Sequence, residues 1–368
     1  MLCAPNAFKG TLTAAAAAAA LAAGVRDAGG VARSLPVADG GDGTLDTLLA
    51  ATLGARVERH RVCGPLGGRL TARLGWLNTT TAVAELAEAA GLRRLRGRRD
   101  PLRATSRGAG ELISRALDGG ARRILVGIGG SACTDGGAGL LTALGARLRD
   151  RAGRPLPLGG GALSDLADAD LTGLDSRLGR CRVEVITDVN SPLLGERGAA
   201  AVFAPQKGAT ATEVARLEAG LRRLADVLER DANVPPELRA LPGAGAAGGA
   251  GYGLAAAGAL LLPGAPLVAE AIGLDGAISG SDLVLTGEGR LDSQTAAGKA
   301  PMEVARRSAR LGVPCVAVAG GVDAAPAVFT RVIALPEVAR AGEDPRLVPR
   351  RLLRRAGALA VRQALAGG

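Results

Sequence analysis

Apolar and polar positions alternate in two different periods along the chain, and the period changes several times. At the front, short apolar runs over 2–4 and 31–37 predict strands, and helical periodicity over 13–28 and 43–53 predicts a helix after each. The rear repeats the pattern with strands over 283–286, 315–319 and 332–335, helices over 294–311 and 347–365, and a short helix after 319. Strands that alternate with helices are typical of a parallel α/β sheet. The five units predict one flavodoxin-like sheet with the strand order 2-1-3-4-5.

The middle of the chain follows another pattern. Three closely spaced strands over 57–62, 70–77 and 81–85, joined by short turns, predict an antiparallel meander. Further strands near 123–128 and 182–187 alternate with helices. We therefore predict an α/β protein of two domains, in which an inserted mixed α/β domain (55–278) interrupts the five-stranded flavodoxin-like domain (1–54 and 279–368). The active site is expected in the cleft between them. The first strand is short for a central strand, which leaves open whether Met1 is the true start.

Composition removes several classes of function. Hydrophobic residues make up 48% of the 368 residues, enough for a sizeable interior. With His60 as the only histidine, histidine triads and multi-histidine metal sites are excluded. Aromatic residues make up 1%, which argues against stacking of nucleic-acid bases. The five cysteines are dispersed, without a CxxC pair, and predict reduced, structural thiols in a cytoplasmic protein.

The net charge of +10 comes almost entirely from arginine, because only three of the 45 basic residues are lysines. The arginines are scattered, so the charge reads as a bias of composition rather than as a nucleic-acid surface. Lys9, Lys207 and Lys299 are more informative. Where arginine has replaced lysine elsewhere, a remaining lysine is expected where a compact ammonium group is needed.

Glycine-rich polar loops follow the predicted strands. APNAFKGT, ADGGDGT and TGEGRLDSQT come after the first three strands of the flavodoxin-like sheet, and each runs into a helix. The inserted domain adds GIGGSACTDGG, DVNSPL and FAPQKGA. Ligands of such sheets bind at the carboxyl ends of strands, and helix N-termini favour phosphate, so these loops predict a phosphorylated ligand.

Two familiar phosphate motifs do not account for these loops. A Walker A motif fails because Gly298-Lys299 is followed by Ala300. The GxGxxG pattern at 243–248 has no strand before it. A dinucleotide site at 127–132 follows a strand but lacks an evident ribose-binding acid, so NAD binding is a minor alternative.

Seven motifs in the same order resemble the type I glycerate kinase family: APNAFKGTLTA, VADGGDGTLD, CGPLGG, GIGGSACTDGGAG, ITDVNSPLLGERGAAAVFAPQKGA, GAAGGAGYG and LTGEGRLDSQTAAGKAP. The resemblance implies an enzyme that phosphorylates D-glycerate with ATP and Mg²⁺, most often to 2-phosphoglycerate. It also implies a flavodoxin-like domain interrupted by a second α/β domain. The short amino end and the arginine-rich carboxyl end depart from the family.

Roles for the candidate residues follow from the needs of phosphoryl transfer. The catalytic candidates are Asp188, Lys9, Asp292 and Arg290. Asp188 is the first choice for the base and Asp292 the second; Asp188 could instead form a turn, and Asp292 could cap a helix. Arg290 is expected to clamp the glycerate carboxylate. The residues expected to bind the nucleotide are Gly129, Gly130, Ser131, Thr134, Lys207 and Lys299. The residues expected to hold the metal are Asp39, Asp42 and Glu288.

Two other classes of function stay open at this stage. One is a non-catalytic sensor of sugar acids or nucleotides, and the other, weaker one is a basic nucleic-acid-binding protein. Under the kinase hypothesis the partners are D-glycerate and ATP, without nucleic acid or membrane, and a homodimer is compatible with it. The sequence does not decide between the 2- and 3-phosphorylated products.

Overall fold

The computed structural model describes residues 1–292, 295, 298–324 and 326–366. They form two compact units. The first comprises Met1–Asp39, Asp46–Ala51 and the chain from Pro263 onward, and the second comprises Gly40–Leu45 and Thr52–Leu262. The domain limits predicted from the sequence, at 54/55 and 278/279, stay a prediction.

Thirteen strands lie within the described residues, as follows: β1 (Leu2–Cys3), β2 (Arg33–Ser34), β3 (Arg56–Cys63), β4 (Arg69–Trp76), β5 (Thr81–Glu85), β6 (Arg123–Gly127), β7 (Arg147–Asp150), β8 (Leu166–Asp170), β9 (Arg182–Thr187), β10 (Leu260–Pro263), β11 (Val284–Leu291), β12 (Cys315–Val322) and β13 (Arg331–Ala334).

The α-helices of the same part of the chain are α1 (Ala14–Asp27), α2 (Thr44–Ala51), α3 (Leu86–Ala90), α4 (Arg107–Asp118), α5 (Ala138–Ala143), α6 (Ala199–Phe203), α7 (Ala211–Ala232), α8 (Ala246–Ala256), α9 (Gly264–Ala271), α10 (Leu274–Ser279), α11 (Ala300–Arg310) and α12 (Pro349–Ala366). None of these helices offers an apolar stretch long enough to span a membrane.

The first unit contains a five-stranded sheet with the order β2-β1-β11-β12-β13. Every neighbouring pair in it is parallel. In chain order within the unit this is 2-1-3-4-5, so the predicted flavodoxin-like sheet and the α/β fold class are confirmed. The carboxyl ends of all five strands therefore lie at one edge, where such sheets bind ligands.

Several elements of this unit differ in length from the prediction. β1 and β2 are only two residues long, although backbone hydrogen bonds continue their pairing: Ala4 N donates to Leu285 O, and Leu35 N donates to Cys3 O. β11 is longer than predicted, since its polar end pairs with β12 as far as Leu291–Val322. α11 begins at Ala300, after Gly298 with φ of +120° and an extended Lys299, and the helix start predicted near 294 lies outside the described residues, since of residues 293–297 the structure describes Thr295 alone. The short helix predicted after 319 is absent from the described residues of that stretch, which continue β12 and then turn.

The core of the first unit includes a close contact between α1 and α12. The alanine-rich α1 buries Ala17, Leu21 and Val25 against the side of α12 that carries Leu353 and Ala356. The two backbones approach so closely that a Cβ added at Gly24 would lie 1.8 Å from the carbonyl oxygen of Arg354. The absence of a side chain at Gly24 is therefore what allows this packing.

The second unit is built on a mixed six-stranded sheet with the order β10-β9-β6-β5-β4-β3. β3, β4 and β5 form the predicted antiparallel meander, and β5, β6 and β9 run parallel. The helix α4 covers this sheet with Leu112 and Ile113, and Trp76 is buried in the same core. The sequence did not predict the small β7–β8 pair, whose strands carry alternate charged residues.

The helix contact in the first unit makes a prediction about Gly24. Alanine at an interior helix position usually stabilises by about 0.5–1 kcal/mol relative to glycine. Here we expect Gly24→Ala to lower the free energy of unfolding by about 1–3 kcal/mol, because the added methyl group forces α1 away from α12. Urea denaturation followed by circular dichroism measures the change.

Gly276→Ala is the matched control. Gly276 lies inside α10, and a Cβ added there would meet nothing within 4 Å. This substitution should leave stability unchanged or raise it. Equal effects of the two substitutions would contradict the proposed close contact.

Candidate active site

Charged residues of the first unit gather at the carboxyl edge of its sheet. Glu288 lies near the end of β11 with its side chain buried, and Lys299 directly precedes α11. The ammonium nitrogen Nζ of Lys299 lies 4.0 Å from Glu288 Oε2 and 4.0 Å from Asp292 Oδ1. Asp39, which follows β2, accepts a hydrogen bond of 2.8 Å from Asn6 Nδ2 in the loop after β1. Three loops separated along the chain therefore meet at this edge.

Burial dominates the electrostatics of Glu288. Removal from water raises the pKa of its carboxyl group, while the hydrogen bond from Thr295 and the charge of Lys299 oppose the rise. The negative charge of Asp39 raises the pKa further, and the positive charge of Lys9 lowers it. The Thr295 hydroxyl donates to Glu288 Oε1 at 2.7 Å. A cation bound beside Glu288 would lower this pKa further, since it would stabilise the buried carboxylate as the two lysines do.

Asp292 has the hydrogen bonds of a helix cap, one of the two roles that the sequence left open. Its Oδ1 accepts a hydrogen bond of 3.2 Å from the backbone nitrogen of Thr295, and its own backbone nitrogen donates to Thr295 Oγ1 at 3.2 Å. This reciprocal arrangement is that of a helix cap. The helix predicted to begin near 294 lies partly outside the described residues, since Ser293, Gln294, Ala296 and Ala297 are not described.

Arg290 forms an ion pair with a neighbouring acid. Its Nε and Nη2 atoms donate to the two carboxylate oxygens of Asp323 at 2.7 and 2.8 Å. This contact lowers the pKa of Asp323. The pair is largely exposed, so it contributes little to stability and can exchange for another carboxylate.

The glycine-rich loop of the second unit follows β6. The backbone nitrogen of Gly129 donates to Gly40 O at 3.0 Å, and Gly130 O accepts from Leu92 at 3.0 Å. Ser131 is 6% exposed, and Thr134 is completely buried. The loop is therefore fixed on both sides by backbone hydrogen bonds.

Lys207 is buried beneath this loop. Its ammonium group donates to the carbonyl oxygen of Cys133 and lies 3.4 Å from Thr134 Oγ1. Burial lowers its pKa to about 8, although the charge of Asp135 opposes the shift. The ammonium group points into the loop, so this geometry supports a lysine that holds the loop in place.

Glu85 is a buried acid that the sequence analysis did not assign. It ends β5, and its two carboxylate oxygens accept hydrogen bonds of 3.0 Å from the backbone nitrogens of Gly43 and Leu45. Burial raises its pKa to about 7, and the nearby Asp42 adds to the shift. Asp42 itself pairs with Arg93. An acidic residue that ends an otherwise apolar strand was the signal in the sequence.

The structure divides the predicted residues between the units. The first unit holds Lys9, Asp39, Glu288, Arg290, Asp292 and Lys299. The second unit holds Asp42, Gly129, Gly130, Ser131, Thr134, Asp188 and Lys207. Asp188 is half-buried and directly follows β9. Within the described ranges, no three acidic, histidine or cysteine side chains form a metal-binding group, and all five cysteines are free and buried.

Comparison with known proteins shows what this architecture is similar to. The model of the glycerate kinase family matches residues 1–345. The chain belongs to the glycerate kinase family. This membership confirms the resemblance found in the motifs and the prediction that the chain is an enzyme of the kinase class.

Individual relatives agree over most of their length. A protein of Bacillus subtilis (strain 168) named glycerate kinase is 46% identical over 328 residues, which cover 88% of this chain and 85% of the relative. A protein of Escherichia coli (strain K12) named glycerate 2-kinase is 43% identical over 359 residues, 93% of each chain. A crystal structure of a Salmonella typhimurium LT2 protein matches with a TM-score of 0.83 and 41% identity, covering 100% of this chain and 98% of that one.

The raised pKa of Glu85 predicts a dependence of stability on pH. Between pH 4.5 and about 7 the folded state holds a proton on Glu85 that the unfolded state has lost, so stability falls as the pH rises through this window. We expect the free energy of unfolding of the unmodified protein to fall by on the order of 1–2 kcal/mol more than that of Glu85→Gln between pH 5 and 7. Urea denaturation at three pH values measures both curves.

Glu237→Gln, an exposed acid of the same unit, is the control. It should follow the unmodified protein at every pH. If the stability of Glu85→Gln shows the same dependence on pH as that of the unmodified protein, the prediction is wrong.

Burial of Lys207 predicts a loss of stability when its side chain is removed. Lys207→Ala leaves the Cys133 carbonyl group without its donor and opens a cavity, so we expect the free energy of unfolding to fall by about 3 kcal/mol. Lys9→Ala, at an exposed lysine, should change it by less than about 0.5 kcal/mol. If Lys207→Ala is instead as stable as the unmodified protein but has lost its affinity for the nucleotide, a direct contact between Lys207 and the nucleotide is supported.

Proposed function

We propose that the chain transfers the γ-phosphoryl group of ATP to D-glycerate and forms 2-phosphoglycerate. The observation that carries this proposal is the group of Glu288, Asp39, Lys9 and Lys299 at the carboxyl edge of the sheet in a member of the glycerate kinase family. The names of the Bacillus subtilis and Escherichia coli relatives support glycerate as the acceptor, and the second name supports the 2-hydroxyl group.

The charges of the first unit fit the requirements of phosphoryl transfer. Catalysis of this reaction depends on positioning and on neutralising phosphate charge, which Lys9 and Lys299 would supply. Glu288 and Asp39, together with the predicted Asp42, would hold Mg²⁺. Magnesium at kinase sites is bound by one or two carboxylates with phosphates and water, so a full set of protein ligands is not needed. When bound, the ion would neutralise charge on the transferred group.

Two carboxylates compete for the role of general base. We assign it to Asp188, which follows a strand end and is half-buried. Asp292 is the alternative, but its carboxylate already accepts a hydrogen bond from the backbone nitrogen of Thr295 and lies 4.0 Å from the ammonium nitrogen of Lys299. A base has to accept the proton of the substrate hydroxyl group as the bond to phosphorus forms.

The remaining assignments, except those of Thr134 and Lys207, keep the form in which the sequence predicted them. Arg290 would bind the glycerate carboxylate in exchange for Asp323. Gly129, Gly130 and Ser131 stay predicted contacts of the nucleotide, whereas Thr134 and Lys207, both buried, would act by shaping the loop. The cytoplasmic location, the homodimer and the lack of a nucleic-acid partner also stay predictions.

The activity is tested with purified protein, ATP, Mg²⁺ and D-glycerate. We expect release of ADP in a coupled assay and the ³¹P signal of 2-phosphoglycerate as the product. Thermal stabilisation by D-glycerate without release of ADP would favour a sensor instead. The signal of 3-phosphoglycerate would correct the position of transfer.

Two substitutions separate the candidate bases. Asp188→Asn should lower kcat by about 10²–10⁴-fold with little change in nucleotide affinity, whereas Asp292→Asn should lower it less. Asp282→Asn, at an exposed acid of the first unit, is the control. The reverse order of the two effects would assign the base to Asp292.

A further inference from the structure

A cavity of about 400 Å³ lies in the first unit. Segments from five places in the chain line it: the turn after β1, the ends of β11 and β12, the residue after β13, and the segment that leads into α12. Its walls combine the apolar side chains of Phe8, Leu335 and Pro345 with three cationic ones, and no acidic side chain lines it. A concave, partly apolar site with a few charged groups is typical of a small-molecule pocket.

The cationic residues are Lys9, Arg290 and Arg346. Arg290 is neutralised by Asp323. Lys9 and Arg346 form no ion pair with any carboxylate of the described residues, although many other arginines of the chain do. Pro349, the first residue of α12, also lines the cavity, so the positive end of that helix dipole adds to the potential. The cavity is therefore suited to an anion.

Arg346 lies on a fixed turn. Its backbone nitrogen donates to Asp344 Oδ1 at 2.8 Å, and the backbone nitrogens of Leu347 and Val348 donate to Asp344 O. The backbone is held by Asp344, while the Arg346 side chain is exposed at the cavity.

The size and the walls of the cavity indicate its ligand. Glycerate is a three-carbon acid without an apolar surface, and it would fill only part of the space. A nucleotide has phosphates for the cations and a base and ribose for the apolar wall. We propose that this cavity, rather than the glycine-rich loop after β6, binds the nucleotide of the reaction, with the guanidinium group of Arg346 donating hydrogen bonds to its phosphates. The inference rests on the proposed function in taking ATP as the phosphoryl donor.

Nucleotide affinity measured without glycerate tests this assignment. Fluorescence titration with a methylanthraniloyl derivative of ADP should give about 10- to 100-fold weaker binding for Arg346→Ala, since a charge-assisted hydrogen bond to phosphate is lost. The loss should be smaller for AMP than for ADP in competition titrations, and Arg346→Lys should restore part of it. Arg350→Ala, at an exposed arginine that does not line the cavity, should bind like the unmodified protein.

Three results would overturn the proposal. Equal ADP affinity of Arg346→Ala and the unmodified protein would remove Arg346 from the nucleotide site. Weaker ADP binding by Ser131→Ala but not by Arg346→Ala would assign the nucleotide to the glycine-rich loop. If Arg346→Ala no longer bound labelled D-glycerate in equilibrium dialysis but bound ADP as before, the cavity would be the glycerate site.

The test of this nucleotide site can succeed or fail independently of the test of the proposed reaction. If the unmodified protein forms no phosphoglycerate but still binds ADP through Arg346, the proposed reaction is wrong and the nucleotide site stands. Unfolding midpoints of all variants, measured in the same buffer, show whether each is folded. We expect them to agree, because the Arg346 side chain is exposed and the turn is held by Asp344.

Discussion

Parallel pairing of β11 with β12 through a polar segment is the constraint on which the first unit depends. The Gly-Glu-Gly-Arg run would ordinarily read as a loop, yet it pairs as far as Leu291. The strands approach so closely that a Cβ at Gly320 would lie 2.5 Å from Gly289 O. Because the ladder continues, Glu288 is held at a fixed place at the edge of the sheet. The contacts of Thr295 and Lys299 with Glu288 follow from that placement.

The order of the strands could be predicted from the sequence, and the lengths of several could not. Order follows from alternation of strands with helices, which few topologies satisfy. Length depends on partners: β1 and β2 keep a regular ladder for only two residues each, and β11 continues because β12 offers a ladder. The end of one strand is therefore decided by residues distant in sequence.

The candidate site, like the fold, could be predicted from the sequence only in part. The loops that follow β1, β2 and β11 were predicted to meet, and they do, because parallel strands end at one edge. Glu85 was missed because its role depends on the amides of Gly43 and Leu45, about forty positions earlier. Lys207 was predicted as a nucleotide ligand from the scarcity of lysine, but scarcity does not reveal the direction of an ammonium group. Only the position of the Cys133 carbonyl group does so.

Charge in this chain is best understood by asking where each arginine finds its partner. The net charge of +10 suggests a surface for polyanions, but Arg239, Arg307 and Arg355 each pair with acids of the same chain. Pairs of this kind are satisfied locally and are screened within about 10 Å in salt. A cation without a partner is informative only where the fold gives it a concave site. Arg346 meets that condition, so its position in the fold, rather than the excess of arginine, is the evidence for an anionic ligand.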